Sequence, residues 1–191
     1  PLGGTRRGGR DATTNENLVK KHVEQHDVVF HTDAPGSPFI VVKTAGEEVP
    51  GEVLQEAGDF CASHSRAWKL GLTSAEVYWV SPEQVTKEAK AGEYMQKGSF
   101  MVYGKRNYVR PAVGLTAIPY GDKIMVAPEN AAKAHHDGVA ARIEQGDTKA
   151  SDTAKRVIAI LGLGEPDDVI PNLPAGGCRV EKVSLEKVAE G

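Results

Sequence analysis

Basic and aromatic side chains are interleaved in one short stretch of this 191-residue sequence. Residues 97–110 contain no acidic side chain; the basic ones are Lys97, Lys105, Arg106 and Arg110, with Phe100, Tyr103 and Tyr108 among them. Cations neutralise phosphates and aromatic rings stack on bases, so this composition is compatible with a face that binds nucleic acid. The same composition also suits a solvated hairpin whose charges keep an edge strand from pairing with another chain.

The loop after His31 is a second candidate site. A predicted strand ends at His31 and leads into the segment from Thr32 to Ser37, in which Pro35 and Gly36 set a turn. Such a loop can offer backbone N–H groups, a hydroxyl and an imidazole to a phosphate or a base. Taken alone, these residues favour a histidine that hydrogen-bonds within its own turn.

The other histidines and the two cysteines do not form a pattern typical of metal binding or catalysis. His22 and His26 are four residues apart on a predicted helix, but no third ligand accompanies them at zinc-site spacing. Cys61 and Cys178 are too few for a disulfide framework. The sequence also lacks a nucleophile elbow, a P-loop and a dinucleotide fingerprint. We therefore expect no catalytic residue, no metal and no cofactor, and predict that the protein is not an enzyme.

Composition predicts a globular protein. The chain is 40% hydrophobic and 26% charged, and its longest apolar runs, such as residues 157–163, are far shorter than the roughly 20 residues of a membrane span. No secretion signal is visible, so we expect a cytoplasmic location and no membrane partner. The net charge of −3 arises in residues 111–191, which hold 9 basic and 12 acidic side chains, whereas residues 1–110 hold 14 of each.

Helix and strand patterns alternate along the chain. The spacing of apolar and capping residues predicts helices over 13–26, 50–71, 129–136 and, capped by Asp147 or Ser151, up to Gly162. Strands are predicted over 28–31, 39–43, 75–81, 139–144 and 178–183, with hairpins around 104–106 and 120–122. The predicted fold class is α+β, a mixed or antiparallel sheet with hairpins packed by helices, plus a smaller C-terminal α+β lobe.

Four segments in a fixed order resemble a known family. They are GGRDA at 8–12 with NENLV at 15–19, DVVFH at 27–31 with PGS at 35–37, EA at 56–57 with SRA at 65–67, and VTK at 85–87 before GEY at 92–94 and GSF at 98–100. Together they are similar to the NFACT-R domain, the RNA-binding module of the NFACT proteins. That family includes the nuclear export mediator factor of animals and fibronectin-binding-like bacterial proteins. Residues 111–191 resemble the C-terminal extension of archaeal members.

The resemblance implies a role in translation, as part of a ribosome-associated quality-control factor. Full-length members bind large ribosomal subunits that carry stalled nascent chains, and they recruit tRNA for the addition of C-terminal residues. The implied partners are therefore tRNA, the RNA of the large ribosomal subunit and the rest of a full-length NFACT protein. The sequence contains neither an NFACT-N domain nor a long coiled coil, so the resemblance implies RNA contact and not the tailing activity for this chain alone.

The expected domain organisation follows the same resemblance. Residues 1–7 are expected to be a linker or a remnant of recombinant expression, residues 8–110 an NFACT-R-like domain, and residues 111–191 an extension packing on or beside it. Since the first residue is not Met, we expect the native protein to begin further upstream.

The resemblance also raises the importance of particular side chains. Those expected to neutralise phosphates are Arg10, Lys20, Lys21, Lys87, Lys97, Lys105 and Arg106. Those expected to stack on or hydrogen-bond exposed nucleotides are His31, Ser37, Asn107 and Tyr108.

Three other functions remain open at this point. One is a general nucleic-acid module that binds DNA, and another is a protein-interaction module whose basic hairpin only keeps an edge strand soluble. A third is a hydrolase that uses His31 and Asp33, although the sequence offers no positioned nucleophile for it.

Overall fold

The computed structural model of the chain describes residues 6–8, 12–34, 36–88, 91–92, 94–95 and 99–188. They belong to two compact units, the first formed by residues 1–61 and 75–111 and the second by residues 62–74 and 112–191. Every strand pairing in the described part is antiparallel, and both units contain helices. The predicted α+β class is therefore confirmed.

The first part of the chain contains strands and helices in mixed order. In chain order they are β1 (Arg6–Gly8), α1 (Ala12–Lys21), β2 (Val28–Thr32), β3 (Ile40–Val42), α2 (Gly51–Ser63), α3 (Arg66–Lys69), β4 (Val77–Val80), β5 (Val85–Thr86), β6 (Met101–Val102) and β7 (Asn107–Val109). The first unit is built on a five-stranded sheet of order β1-β3-β2-β4-β7, with β5 and β6 paired separately. Strand β7 is thus an edge strand of the sheet.

One face of this sheet lies against α2. Gly58 of that helix approaches β7 so closely that a Cβ at position 58 would lie 2.6 Å from Cγ2 of Val109. The same Cβ would be 4.0 Å from Cε1 of Phe30 in β2, a fully buried side chain. The absent side chain at position 58 therefore sets how near the helix comes to the strands.

The opposite face carries a second layer of apolar packing. Its core cluster consists of Leu18, Val29, Phe39, Val41, Tyr78 and Val80, with Val85, Phe100 and Val102 packed against it. Leu18 comes from α1, while Val85 and Val102 come from β5 and β6. Helix α1 and the paired strands β5 and β6 thus cover part of this face of the five-stranded sheet.

The first helix is shorter than the predicted 13–26, because the buried carboxylate of Asp27 organises a turn after it. The Glu24 N–H donates to Oδ2 of Asp27 at 2.8 Å, and the Lys43 ammonium donates to the same oxygen at 2.6 Å. Asp27 is only 3% exposed. Residues 22–27 therefore leave the helical path to hold this carboxylate, and the prediction of helix up to residue 26 is wrong.

The predicted single helix over 50–71 is two helices, α2 and α3. The Ser65 hydroxyl interrupts it by accepting from the Ala67 N–H at 3.2 Å and donating to the Ala62 carbonyl at 2.6 Å. Serine at a helix N-cap competes in this way with continuous helix. Gly71, with φ of 70°, follows the second helix.

The predicted hairpin around residues 104–106 is wrong. Strand β6 pairs with β5, and β7 pairs with β4, so the two flanking segments belong to different sheets. The side-chain amide of Gln84 donates to the carbonyls of Tyr103 at 2.7 Å and Lys105 at 2.9 Å. A distant glutamine therefore shapes this turn in place of cross-strand pairing.

The second unit contains a four-stranded sheet of order β11-β10-β8-β9. Its further elements are β8 (Leu115–Tyr120), β9 (Lys123–Ala127), α4 (Glu129–His135), β10 (Gly138–Thr148), α5 (Ala150–Leu161), α6 (Pro166–Val169) and β11 (Cys178–Leu185). The hairpin predicted around 120–122 is confirmed, as is the end of α5 at Gly162, which has left-handed backbone. The cap of α5 differs from both predicted residues: it is Lys149, and it makes no side-chain capping bond.

Helix α3 belongs to this second unit through Trp68. The Trp68 side chain is 2% exposed, and its Nε1 donates to the Gly177 carbonyl at 2.9 Å. The side-chain amide of Gln145 in β10 donates to the carbonyls of Ala67 at 3.1 Å and Leu72 at 2.7 Å. None of the helices in the described ranges combines the length and the apolar character that a membrane crossing requires.

Candidate nucleic-acid interface

Three ring side chains form a row across β2, β4 and β7. His31 is paired with Tyr78, and Tyr78 with Tyr108, so all three lie on one face of the sheet. Their neighbouring ring centroids are 6.4 Å and 5.7 Å apart. Tyr78 is buried at the middle of this aromatic row, whereas Tyr108 on the edge strand is 56% exposed. The row therefore runs from the interior of the sheet to an accessible ring.

A cation and a carboxylate complete the exposed end of the aromatic row. The Arg106 guanidinium lies over the Tyr78 ring, 4.7 Å from its centroid, and forms an ion pair with Asp33. The Tyr108 hydroxyl donates to the other carboxylate oxygen of Asp33 at 3.2 Å. Asp33 therefore holds both Arg106 and Tyr108, and we call these three residues the Asp33 cluster.

His31 is held at the other end of the row. Its ring stacks on Phe39 with centroids 4.0 Å apart and planes 5° from parallel, and its Nδ1 lies 3.2 Å from the Pro38 carbonyl. Burial lowers the pKa of His31 below its usual 6.5, and Arg106 adds to this, outweighing the hydrogen bond to Pro38 and the charge of Asp33. Since a carbonyl only accepts, Nδ1 carries the proton of the neutral ring and Nε2 is an acceptor.

This lowered pKa gives a pH dependence of stability with a definite sign. In the unfolded chain His31 regains its usual pKa, so below pH 6.5 the unfolded state binds a proton that the folded state excludes. We expect the free energy of unfolding to fall as the pH drops from 7 towards about 5, and less so in His31→Gln. Urea denaturation at several pH values measures this, and an NMR titration midpoint for His31 at or above 6.5 would contradict it.

Lys87 is linked to His31 through the rings of Phe100 and Phe39. Tyr78, by contrast, links His31 to the Asp33 cluster. Its Nζ is 5.7 Å from the Phe100 ring centroid, and Phe100 meets Phe39 edge to face at 5.4 Å. Phe39 in turn stacks on His31. The contacts of the described residues thus bring together His31, Lys87, Arg106 and Tyr108 from the predicted set.

The remaining predicted residues have other positions. Lys20 and Lys21 are exposed in the last turn of α1. Lys105 is exposed beside Arg106, and the Asn107 amide donates to the Trp79 carbonyl at 3.2 Å. Ser37 is 2% exposed, and its hydroxyl accepts from Thr32 Oγ1, so its polar group has a partner within the loop. Arg10 and Lys97 lie outside the described residues.

Sequence reasoning missed two residues of this arrangement. Tyr78 supports the Arg106 guanidinium, and burial raises the pKa of Tyr78 to about 12, which keeps its ring neutral. The sequence suggests Asp33 only as a residue of a hydrolase, whereas in the structure its carboxylate orients the Arg106 guanidinium and the Tyr108 hydroxyl. Both roles depend on the register of β2, β4 and β7. The sequence alone shows only that Tyr78 occupies one of the alternating positions of its predicted strand.

Comparison with known proteins shows which family this chain is similar to. Residues 7–104 match the model of the NFACT protein RNA binding domain. The chain is 40% identical over 181 residues to the archaeal Rqc2 homolog aRqcH of Methanocaldococcus jannaschii, covering 91% of this chain and 27% of that protein. It is 41% identical over 107 residues to the human ribosome quality control complex subunit NEMF, covering 55% of this chain and 10% of the human protein.

A solved structure is also similar to part of the chain. It is the C-terminal part of the fibronectin/fibrinogen-binding protein from Streptococcus suis, with a TM-score of 0.48 and 18% identity over 63% of this chain and 43% of that one. The chain spans about a quarter of the length of the archaeal relative and about a tenth of the human one.

Proposed function

Since this chain belongs to the NFACT protein family, with residues 7–104 matching its RNA binding domain, we propose that the first unit binds RNA through the Asp33 cluster and the cations beside it. The observation that carries this proposal is the pairing of an exposed aromatic ring, Tyr108, with the guanidinium of Arg106 on one edge of the sheet. Arginine suits phosphate recognition because its planar fork presents several donors.

A net negative chain is compatible with this function. The acidic excess arises in residues 111–191, whereas residues 1–110 are balanced. Local potential decides contact with a phosphate backbone, and Lys105 and Arg106 are adjacent on the segment that enters the edge strand. Lys20, Lys21 and Lys87 are further exposed or partly exposed cations on the same unit. We infer that they add phosphate contacts around the central pair.

The biological setting follows from the relatives. Those reported above are named as a ribosome quality control complex subunit and as an Rqc2 homolog. We propose that this chain is the RNA-binding part of such a factor, acting in the cytoplasm without catalysis of its own. Its RNA would be tRNA or the RNA of large ribosomal subunits with stalled chains. Recruitment of tRNA for C-terminal tailing would be the task of the full-length protein.

A filter-binding titration with bulk tRNA tests this function. For RNA held by phosphate contacts, the logarithm of the binding constant should fall linearly with the logarithm of salt concentration, by about 0.7 to 0.9 per contact. The full chain is titrated at two salt concentrations with duplex DNA as competitor. Steep salt dependence with preference for tRNA supports the proposal. Equal competition by DNA favours a general nucleic-acid module, and binding that ignores salt, or no binding at low salt, contradicts RNA contact by this chain.

A further inference from the structure

The geometry of the Asp33 cluster points to a narrower ligand than RNA in general. We propose that Tyr108 and Arg106 form a site for one unpaired nucleotide, whose base stacks on the Tyr108 ring while its phosphate meets the Arg106 guanidinium. This inference rests on the proposed RNA-binding function and names the class of RNA: single-stranded segments, in preference to duplex.

The accessible ring is the first part of the argument. Tyr108 lies on the edge strand β7, which has β4 as its neighbour in the five-stranded sheet. Its ring meets Tyr78 at 66° between planes, an edge contact that leaves a ring face unstacked by that neighbour, and 56% of the residue is exposed. In a duplex the bases stack on one another and their faces are inaccessible to a side chain, so a flat ring of this kind can stack only on an unpaired base.

The rigidity of the cluster is the second part. Asp33 accepts from Arg106 and from the Tyr108 hydroxyl. The guanidinium rests on the Tyr78 ring, which is itself 2% exposed and held in the sheet. Ring and cation are therefore fixed relative to each other before any ligand arrives, which reduces the entropy lost on binding.

The chemistry of the donors is the third part. A guanidinium has five N–H donors, and the ion pair with Asp33 engages one terminal nitrogen, Nη1, with 34% of the Arg106 side chain exposed. Donors on the other nitrogens can serve a phosphate, while the carboxylate of Asp33 disfavours an anion at its own position. Asp33 thus acts as a positioning residue that leaves one phosphate position beside one stacking surface, which matches a single nucleotide.

A fluorescence titration tests this site with the full chain and two matched RNAs. One is a short single strand that carries 2-aminopurine, and the other is the same strand annealed to its complement. We expect wild-type protein to bind the single strand more tightly and to quench the 2-aminopurine. Tyr108→Leu should lose about tenfold in affinity for the single strand with little change for the duplex, since one base–aromatic stack is lost. Tyr108→Phe keeps the ring but loses the hydroxyl that donates to Asp33, so it should lose less affinity for the single strand than Tyr108→Leu.

The outcomes distinguish a failure of the proposed stacking site from a failure of the proposed RNA binding. If Tyr108→Leu weakens both RNAs equally or neither, the stacking site is wrong while salt-dependent RNA binding stands. If wild-type protein binds neither RNA, the proposed function itself fails. Should Tyr108→Leu not fold, as judged by circular dichroism, an abasic nucleotide in the single strand provides the same test on wild-type protein. It keeps the phosphates but removes a base, and about tenfold weaker binding is expected at the stacked position and no change elsewhere.

Discussion

The double reversal Lys105→Glu with Arg106→Glu is expected to weaken tRNA binding by about 25- to 60-fold at about 0.1 M salt. Each lost phosphate contact makes the slope of log K against log salt shallower by about 0.7 to 0.9, which amounts to about five- to eightfold in affinity per contact at that concentration. The two side chains are adjacent in the chain, with Lys105 exposed and Arg106 partly exposed. Filter binding at several salt concentrations measures the affinity and the slope together, and the slope should become shallower by about 1.4 to 1.8.

A matched pair in the second unit provides the control. Lys123 and Lys187 are both exposed, and reversing them to Glu changes the net charge by the same amount. We expect this control variant to lose far less affinity, because net charge alone steers RNA only weakly once salt screens it. Equal losses in the two variants would refute a localised site. Unchanged tRNA binding in the first variant would favour the protein-interaction alternative, in which these charges only keep an edge strand soluble.

Trp68→Ala is expected to lower the free energy of unfolding by about 3–5 kcal/mol, the range seen when a large aromatic side chain is removed from a core. Trp68 is 2% exposed, and its loss leaves the Gly177 carbonyl without the indole N–H. Urea denaturation followed by circular dichroism measures the change. The loss is expected in the second unit, to which residues 62–74 belong.

Two further variants delimit the cause. Trp68→Phe keeps most of the apolar volume but not the donor, so we expect a smaller loss, of about 1–2 kcal/mol. Leu72 is nearby in sequence but 49% exposed, and Leu72→Ala should change stability by less than about 0.5 kcal/mol. A Trp68→Ala variant as stable as Leu72→Ala would show that the indole does not support this unit.

Locally encoded elements were predictable from the sequence. The hairpin at Tyr120, Gly121 and Asp122 needs only turn chemistry between two apolar segments, and Gly121 has the expected positive φ of 63°. The end of α5 at Gly162 is likewise a local signal, since glycine readily adopts left-handed backbone. In each case the residues that determine the structure lie within a few positions of it.

Predictions failed where hydrogen bonds from a distant or buried polar group determine the local backbone conformation. The amide of Gln84 shapes the turn near residue 104, and the Asp27 carboxylate, paired with Lys43, ends the first helical segment early. Ser65 divides a helix that its apolar periodicity would continue. Apolar spacing reports which side of an element is buried, but it is silent on such hydrogen bonds.

The candidate site shows the same division. Composition left a nucleic-acid face and a solvated hairpin both open, and the family resemblance singled out Arg106 and Tyr108 as nucleic-acid contacts; these roles remain predictions. The structural support around them could not be read from the sequence, because Asp33 and Tyr78 join the cluster only through the register of β2, β4 and β7. Chemical type is visible along a chain, whereas the partners that orient it depend on strand pairing.

The bare backbone at Gly58 has a consequence for how this family can diverge. Because α2 sits almost on Val109, the residue next to Tyr108, any side chain added at position 58 must be offset by a smaller one at position 109 or must displace the edge strand. Substitutions at these two positions can therefore shift the edge strand that carries Tyr108 while leaving the residues of the Asp33 cluster unaltered. Among relatives, we expect a larger residue at the first position to be inherited together with a smaller one at the second.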